Sequence, residues 1–325
     1  MRNEGLGIRN EKKYKNQIIF LLLTLILISI FKITFGEWKI PLSEVIYFLF
    51  HESSSPASIV IRSVRLPRLL CSIGTGGLLS VAGVVLQGLL ANPLAEPYTL
   101  GIASGAAFGA ALGIMAGSFM IMPTAFMGAL FALLLTGIIS MGGTEKIILA
   151  GVISNSILSA GVTFIKSIAG DKLGAVVLWL MGSLSGAGVK DVYAIYIGLI
   201  LILIPAYIFA PALDAMSLGR DRASILGINE KFTKIILLIF TSTGVALAVS
   251  SFGIIGFVGL AVPHISRNLI GASHRKLIFH SFLTGACILS IADGAAQFLG
   301  ELPVGVLTAL TGGPFFCYIL SKRHY

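Results

Sequence analysis

The stretch Arg62-Ser-Val-Arg65-Leu-Pro-Arg68, followed by the apolar run Leu69 to Leu90 and by Asn92-Pro-Leu-Ala-Glu-Pro97, decides how this chain is read. About 20 apolar residues cross a hydrocarbon core, and Leu69–Leu90 supplies them without one Asp, Glu, Lys, Arg or His. The stretch therefore holds a basic outer face, a helix and a proline-broken inner turn, after which Gly101-Ile-Ala-Ser-Gly105 opens the next apolar segment.

Working outward, the whole chain has the same character. It has 325 residues, 56% hydrophobic and 11% charged, with mean hydropathy +0.96. One soluble core cannot bury that much apolar surface, so the bilayer is the solvent for most of it. The fold class is all-α and polytopic, a single transmembrane domain over residues 1–325. Spans are expected near residues 17–35, 69–91, 97–116, 121–141, 146–168, 191–210, 233–251, 257–271, 277–298 and 304–321. Ten spans put both termini on one side. The basic head, residues 1–16, and the Lys322-Arg323 tail mark that side as cytoplasmic, because Lys and Arg accumulate there. Arg62, Arg65 and Arg68 then fall outside, where such residues are normally scarce.

The head followed by Ile18–Ile30 also has the outline of a signal peptide. No small-residue cleavage site follows and further spans do, so an uncleaved first helix is expected. The net charge of +9 does not point to nucleic acid, since the basic residues are scattered at segment ends. Cys71, Cys287 and Cys317 lie in apolar segments without metal-ligand spacing and read as small hydrophobes. No metal site is expected.

Glycines crowd two spans: Gly74, Gly76, Gly77, Gly83 and Gly88 in one, and Gly101, Gly105, Gly109 and Gly113 every four residues in the next. Small residues at that spacing let helices approach closely in lipid; a substrate path between them is the alternative. A short internal echo pairs Gly83 to Pro93 with Gly253 to Pro263, in segments that run in opposite directions, as in transporters built from inverted repeats.

Chemistry has few footholds. There is no phosphate-binding G-x-x-x-x-G-K-[ST] loop, no H-E-x-x-H and no G-x-S-x-G, so no catalytic residue is assigned. Arg267, Asp293 and Glu96 lie near segment ends, where a charge reaches the interface cheaply. The absence of mid-membrane carboxylates disfavours an ion-coupled secondary carrier, and the absence of a nucleophile or metal constellation disfavours a membrane enzyme. His264, beside Pro263, reads as a packed, hydrogen-bonded histidine.

Two segments read as surfaces for partners. Pro67 restrains the backbone between Arg65 and Arg68, holding two guanidinium forks of the kind that pair with carboxylates of a soluble partner. Arg62 is a weaker third, and lipid headgroups are the alternative contact. On the inner side, residues 214–230 place Leu218, Ala223, Ile225 and Leu226 among charges, bracketed by Gly219 and Gly227. That pattern suits short amphipathic helices covered by a cytoplasmic partner; a plain surface loop is the alternative.

At this point the residues resemble a family. Arg65-Leu-Pro-Arg68; Gln87 with Asn92 to Pro97; Leu149-Ala-Gly151; Ser217-Leu-Gly219 with Leu226-Gly227; Ile255 to His264 with Arg267; His274-Arg275; and Glu301-Leu-Pro-Val-Gly305 with Gly313-Pro-Phe315 occur in the order found in permease subunits of type II ABC importers. These FecCD-like proteins serve iron-siderophore, haem and vitamin B12 uptake. The resemblance spans nearly the whole chain and implies ten helices, a second permease copy or paralogue, two cytoplasmic ATPase subunits that hydrolyse ATP, and an external substrate-binding protein. No cofactor would bind this chain directly. It further implies a prokaryotic cell membrane, coupling through Ser217, Leu218, Gly219, Ala223, Leu226 and Gly227, and docking through Arg65 and Arg68. By the same resemblance, Thr144, Asn92, Pro93 and Pro97 are expected to be gate and pathway positions. A further family arginine is Gln297 here, which puts a third docking contact in question.

Overall fold

The computed structural model describes residues 2–36, 38–140, 144–217 and 219–322, and among these every regular element is helical. The head and first span form one helix, α1 (Arg2–Thr34). Beyond the C-terminal end of α1, on the side expected to be external, follow a surface helix, α2 (Leu42–Phe50), and a single turn, α3 (Pro56–Ile59), whose cap Ser55 accepts a bond from the Ser58 N–H. A π-helical turn, Val60–Arg65, then runs directly into α4 (Leu66–Leu89). Pro67 lies at the start of α4, where its missing N–H costs little, so the backbone passes through it without a break.

The remaining elements are α5 (Ile102–Ala116), α6 (Ile121–Ser140), α7 (Thr144–Ile168), α8 (Leu173–Leu180), α9 (Val189–Ile208), α10 (Ala210–Ser217), α11 (Arg220–Ile225), α12 (Glu230–Phe252), α13 (Val258–Ile270), α14 (His274–Phe298) and α15 (Val304–Lys322). Each of the ten expected spans coincides with one of these helices. Seven segments among the described residues are long and apolar enough to cross a membrane unaided. α5, α13 and α15 are the shorter ones. Periodicity missed α2, α3 and α8, which cap the outer side and are too short to register as spans.

α4 is the axis of the bundle. It is buried along nearly its whole length and packs on α14, α9, α13 and α12. Lipid offers no hydrophobic drive for helix association, so close van der Waals contact must hold the bundle. A Cβ at Gly76 would fall 2.2 Å from the Gly285 carbonyl oxygen, and one at Gly83 would fall 1.8 Å from that of Gly259. In the next pair, Gly105 and Gly128 meet across α5 and α6 in the same way. The glycine series is thus packing surface; in α4 it does not line an open path.

The turn after α4 folds back into the bundle. A Cβ at Gly259 would touch Pro97 Cδ at 2.7 Å and the Leu79 carbonyl oxygen at 3.1 Å. Leu79 lies ten residues before the end of α4, roughly 15 Å along its axis. Residues 90–97 therefore return to the level of Leu79, and α5 starts inside the bundle after a single 3-10 turn, Pro97–Leu100. This is why the span expected from residue 97 contains only a 15-residue α-helix.

The internal echo is not a structural repeat. Gly83 is mid-helix and Pro93 sits in the turn, whereas Gly253 ends α12 at φ +71° and Pro263 lies within α13. The two segments instead pack against each other through Gly83 and Gly259.

Candidate functional site

The outer ends of α1, α4 and α14 meet at a buried carboxylate. Asp293 is fully buried. Arg68 donates to it from Nε (3.2 Å to Oδ1, 3.1 Å to Oδ2) and from Nη2 (3.0 Å to Oδ1). Lys32 Nζ lies 2.6 Å from Oδ2 and donates to Ser72 Oγ at 3.1 Å; Gln297 Nε2 donates to Oδ2 at 3.3 Å. The remaining face of the Arg68 fork reaches Glu301, with Nη1 2.8 Å from Oε2. Two cations thus balance two anions, which a site with Asp293 and Lys32 almost wholly withdrawn from solvent requires.

This geometry changes the sequence-based picture. Asp293 is no cheap charge at a helix end, since it is the centre of the network. Lys32 was not singled out, although a lysine within an apolar span is itself a signal of a buried partner. Gln297 keeps a hydrogen bond to Asp293, and Lys32, from α1, supplies the second positive charge there.

Neither Arg65 nor Arg68, the two arginines expected to dock a partner, presents a free fork. Arg65 Nη1 donates to the carbonyl oxygens of Ile33 (2.7 Å) and Thr34 (3.2 Å), and its Nη2 donates to Trp38. It pins the end of α1 and the start of the outer cap. That cap rests on a small apolar cluster of Ile33, Ile40, Val45, Ala57, Ile61 and Leu69. Arg62 is half-buried and pairs with Glu52 at 3.2 Å. Of the three, Arg68 is buried and the other two are partly exposed.

At the inner side, α10 and α11 form the surface expected from residues 214–230. α11 ends in a glycine cap: Gly227 adopts φ +74°, its N–H bonds Ser224 O, and the Ile228 N–H bonds Ala223 O. Both bonds satisfy carbonyls at the helix end. Ala223 is buried, while Ile225 and Leu226 are 83% and 65% exposed. Ser217 is exposed and its hydroxyl bonds the Asp214 carbonyl at 2.6 Å; Gly219 stands at φ +109°. Leu218 lies outside the described residues.

Asp214 fastens this surface to the bundle. Its Oδ1 accepts the His274 backbone N–H at 2.9 Å and lies 2.6 Å from His274 Nδ1, at the first turn of α14. Sequence reading passed over this pair because its members are 60 residues apart.

The expected pathway positions are spread over the inner turn. Asn92 Oδ1 accepts the Leu94 N–H at 2.9 Å, Pro93 is exposed and Pro97 is buried. Thr144 opens α7, and its side chain is outside the described part. The unforeseen member here is Tyr98. Its hydroxyl donates to Ile255 O at 2.8 Å and accepts the Ile255 N–H at 3.2 Å, joining the break before α5 to the break before α13. Nearby, Gln87 accepts from Arg267 Nη1 at 3.3 Å and donates to Leu260 O at 3.4 Å. α7 turns an unusual face away from the bundle. Ser156, Ser159, Thr163 and Ser167, spaced three and four apart on one side of the helix, are all exposed. Among the described residues no group of three or more His, Cys, Asp and Glu is placed to hold a metal ion.

Comparison with known proteins agrees with this architecture. A family model described as the FecCD transport family matches residues 21–322. A permease of Helicobacter pylori named for iron chelatin transport is 36% identical over 293 residues, covering 88% of this chain and 90% of that protein. The hemin transport system permease of Yersinia pestis is 35% identical over 320 residues, covering 94% and 95%. A solved metal-chelate type ABC transporter in an inward-facing conformation superposes with TM-score 0.83 at 30% identity, covering 94% of this chain and 98% of that one.

Proposed function

The chain belongs to the FecCD transport family, and from that premise we propose that it is the membrane-spanning subunit that carries an iron-siderophore complex into a prokaryotic cell. It is an integral membrane transporter subunit of the metal-chelate ABC permease class. The energy comes from ATP hydrolysed by a separate cytoplasmic ATPase, as the likeness to ABC transporter permeases supports; this chain has no phosphate-binding loop of its own. A haem or cobalamin complex is the alternative cargo; relatives are named for hemin and for cobalamin import.

The observation that carries the reading is the inner surface of α10 and α11. Ile225 and Leu226 stand in solvent at the capped end of α11, which follows α10, the helix that Asp214 and His274 tie to the bundle. Two large apolar side chains turned outward on such a mount fit a partner's groove. ATP-driven closure of the ATPase dimer would push on Ser217 to Gly227 and reorient the helices. The gate positions Thr144, Asn92, Pro93 and Pro97 would follow, with both termini on the same cytoplasmic side.

The hydroxyl face of α7 supports a second permease copy. Ser156, Thr163 and Ser167 donate to the Val152, Ser159 and Phe164 carbonyls of their own helix, and the lone pairs that this exposed stripe still offers suit a wetted path between two subunits. On the outer side an external binding protein docks over Arg65 and Arg68, with Arg62 at the rim, and delivers the chelate to that path.

Reconstitution tests the proposal. Proteoliposomes holding this chain and its ATPase, with the external binding protein added on the opposite side, should take up ferric siderophore only when ATP is present on the ATPase side. Uptake driven by an ion gradient without ATPase would overturn it in favour of a secondary carrier.

A further inference from the structure

Two of the three outer arginines are closed by carboxylates of this same chain that stand in solvent. Glu52, facing Arg62, is 87% exposed at its side chain, and Glu301, facing Arg68, is 51% exposed. We propose that Glu301 is a placeholder: it occupies the Arg68 nitrogen that a carboxylate of the docking protein takes when that protein binds. The inference rests on the docking reading above and adds the residue against which docking must compete.

The two sides of the Arg68 fork differ in what holds them. Nε and Nη2 are committed to Asp293, which also takes Lys32 and Gln297 and is fully buried. Withdrawing them would leave buried charges unpaired, so that side is fixed. Nη1 faces Glu301, whose carboxylate is half in water and pays little desolvation on leaving. Only this second bond is exchangeable.

The backbone beneath Glu301 points the same way. Glu301 sits between α14 and α15 at φ +61°, next to Gly300 at φ +84°. A left-handed backbone is uncommon for a residue other than Gly, Asn or Asp. Here it sends a long acidic side chain to Arg68, and strain of this kind collects at functional positions. Exchange also keeps both cations paired, the displaced Glu301 carboxylate passing into solvent. Lys32 and Arg68 balance Asp293 and Glu301 before docking, and balance Asp293 and the partner's carboxylate after it. The partner thus needs an acidic side chain at this point, and its affinity is the difference between two carboxylates competing for one guanidinium.

The test titrates the external binding protein encoded with this chain onto the permease–ATPase complex in lipid nanodiscs at low salt. Glu301→Gln should bind roughly two- to fivefold more tightly than wild type. Glu301→Asn, which suits the left-handed backbone, should do the same and carries the test if the first variant does not assemble. Arg68→Lys should bind at least roughly tenfold more weakly. Weaker or unchanged binding by both Glu301 variants, with Arg68→Lys impaired, overturns the placeholder and leaves docking intact. Unchanged binding by Arg68→Lys removes the docking role itself, and the placeholder with it.

Discussion

Asp293 carries a heavy electrostatic responsibility, because it faces both Lys32 and Arg68 while fully buried. Removing its charge strands two cations against the single half-exposed Glu301. Asp293→Asn is expected to cost about 3–5 kcal/mol, visible as a large fall in the thermal unfolding temperature of the purified protein. Lys32→Met should cost less, since Asp293 keeps the Arg68 fork and the apolar side chain suits the outer end of α1. A Lys32→Met protein as unstable as Asp293→Asn would refute this ordering. Lys32, Asp293 and Glu301 were all present in the sequence, but 261 positions separate the first pair. Nothing local to either residue reveals the other.

At the scale of elements, the glycines of α4 and the two ends of α14 set what can change. A side chain at Gly83 meets the Gly259 backbone at once, whereas one at Gly137 in α6 meets nothing within 4 Å. Gly83→Ala should therefore destabilise by about 1–3 kcal/mol, while Gly137→Ala should be neutral or gain about 0.5–1 kcal/mol from helix propensity. Thermal unfolding of the pair checks this, and equal effects would contradict the packing. α14 begins at His274, bound to Asp214 of α10, and carries Asp293 about 28 Å further on. Asp214→Asn loosens the first attachment. It should lower transport per ATP hydrolysed with ATPase affinity unchanged, and normal coupling would show that α10 needs no such tether. Leu226→Asp strikes the surface directly and should abolish ATPase binding. The spans themselves were legible from runs of apolar residues. The re-entrant turn was legible only as a break, since Asn92, Pro93 and Pro97 announce that a helix stops without saying that the chain turns back to the level of Leu79.

For the molecule as a whole, the hydroxyl face of α7 is the feature a single bundle leaves uncovered. With Cys71, Cys287 and Cys317 replaced by Ser, a cysteine at Ser159 should be joined to that of a second copy by a long bifunctional thiol reagent in the membrane, since a path wide enough for a chelate separates the two faces beyond disulfide reach. A cysteine at Phe131, exposed on α6, should not. Linking at Phe131 alone would move the interface to another face.

By itself the sequence determined the solvent, the helices and the lineage. Twenty-residue apolar runs admit one solution in a bilayer, where every backbone group must be bonded within its own segment. Ordered short motifs identify the permease class. What the tertiary structure alone decided is who meets whom: that Arg68 turns inward to Asp293, that Lys32 joins it, that Tyr98 bridges to Ile255, and that Asp214 holds His274. The physical reason is that lipid-facing and protein-facing surfaces of these helices are almost equally apolar. Hydrophobic periodicity therefore says little about which face packs where, and the choice falls to glycine contacts and buried ion pairs between residues far apart in the chain.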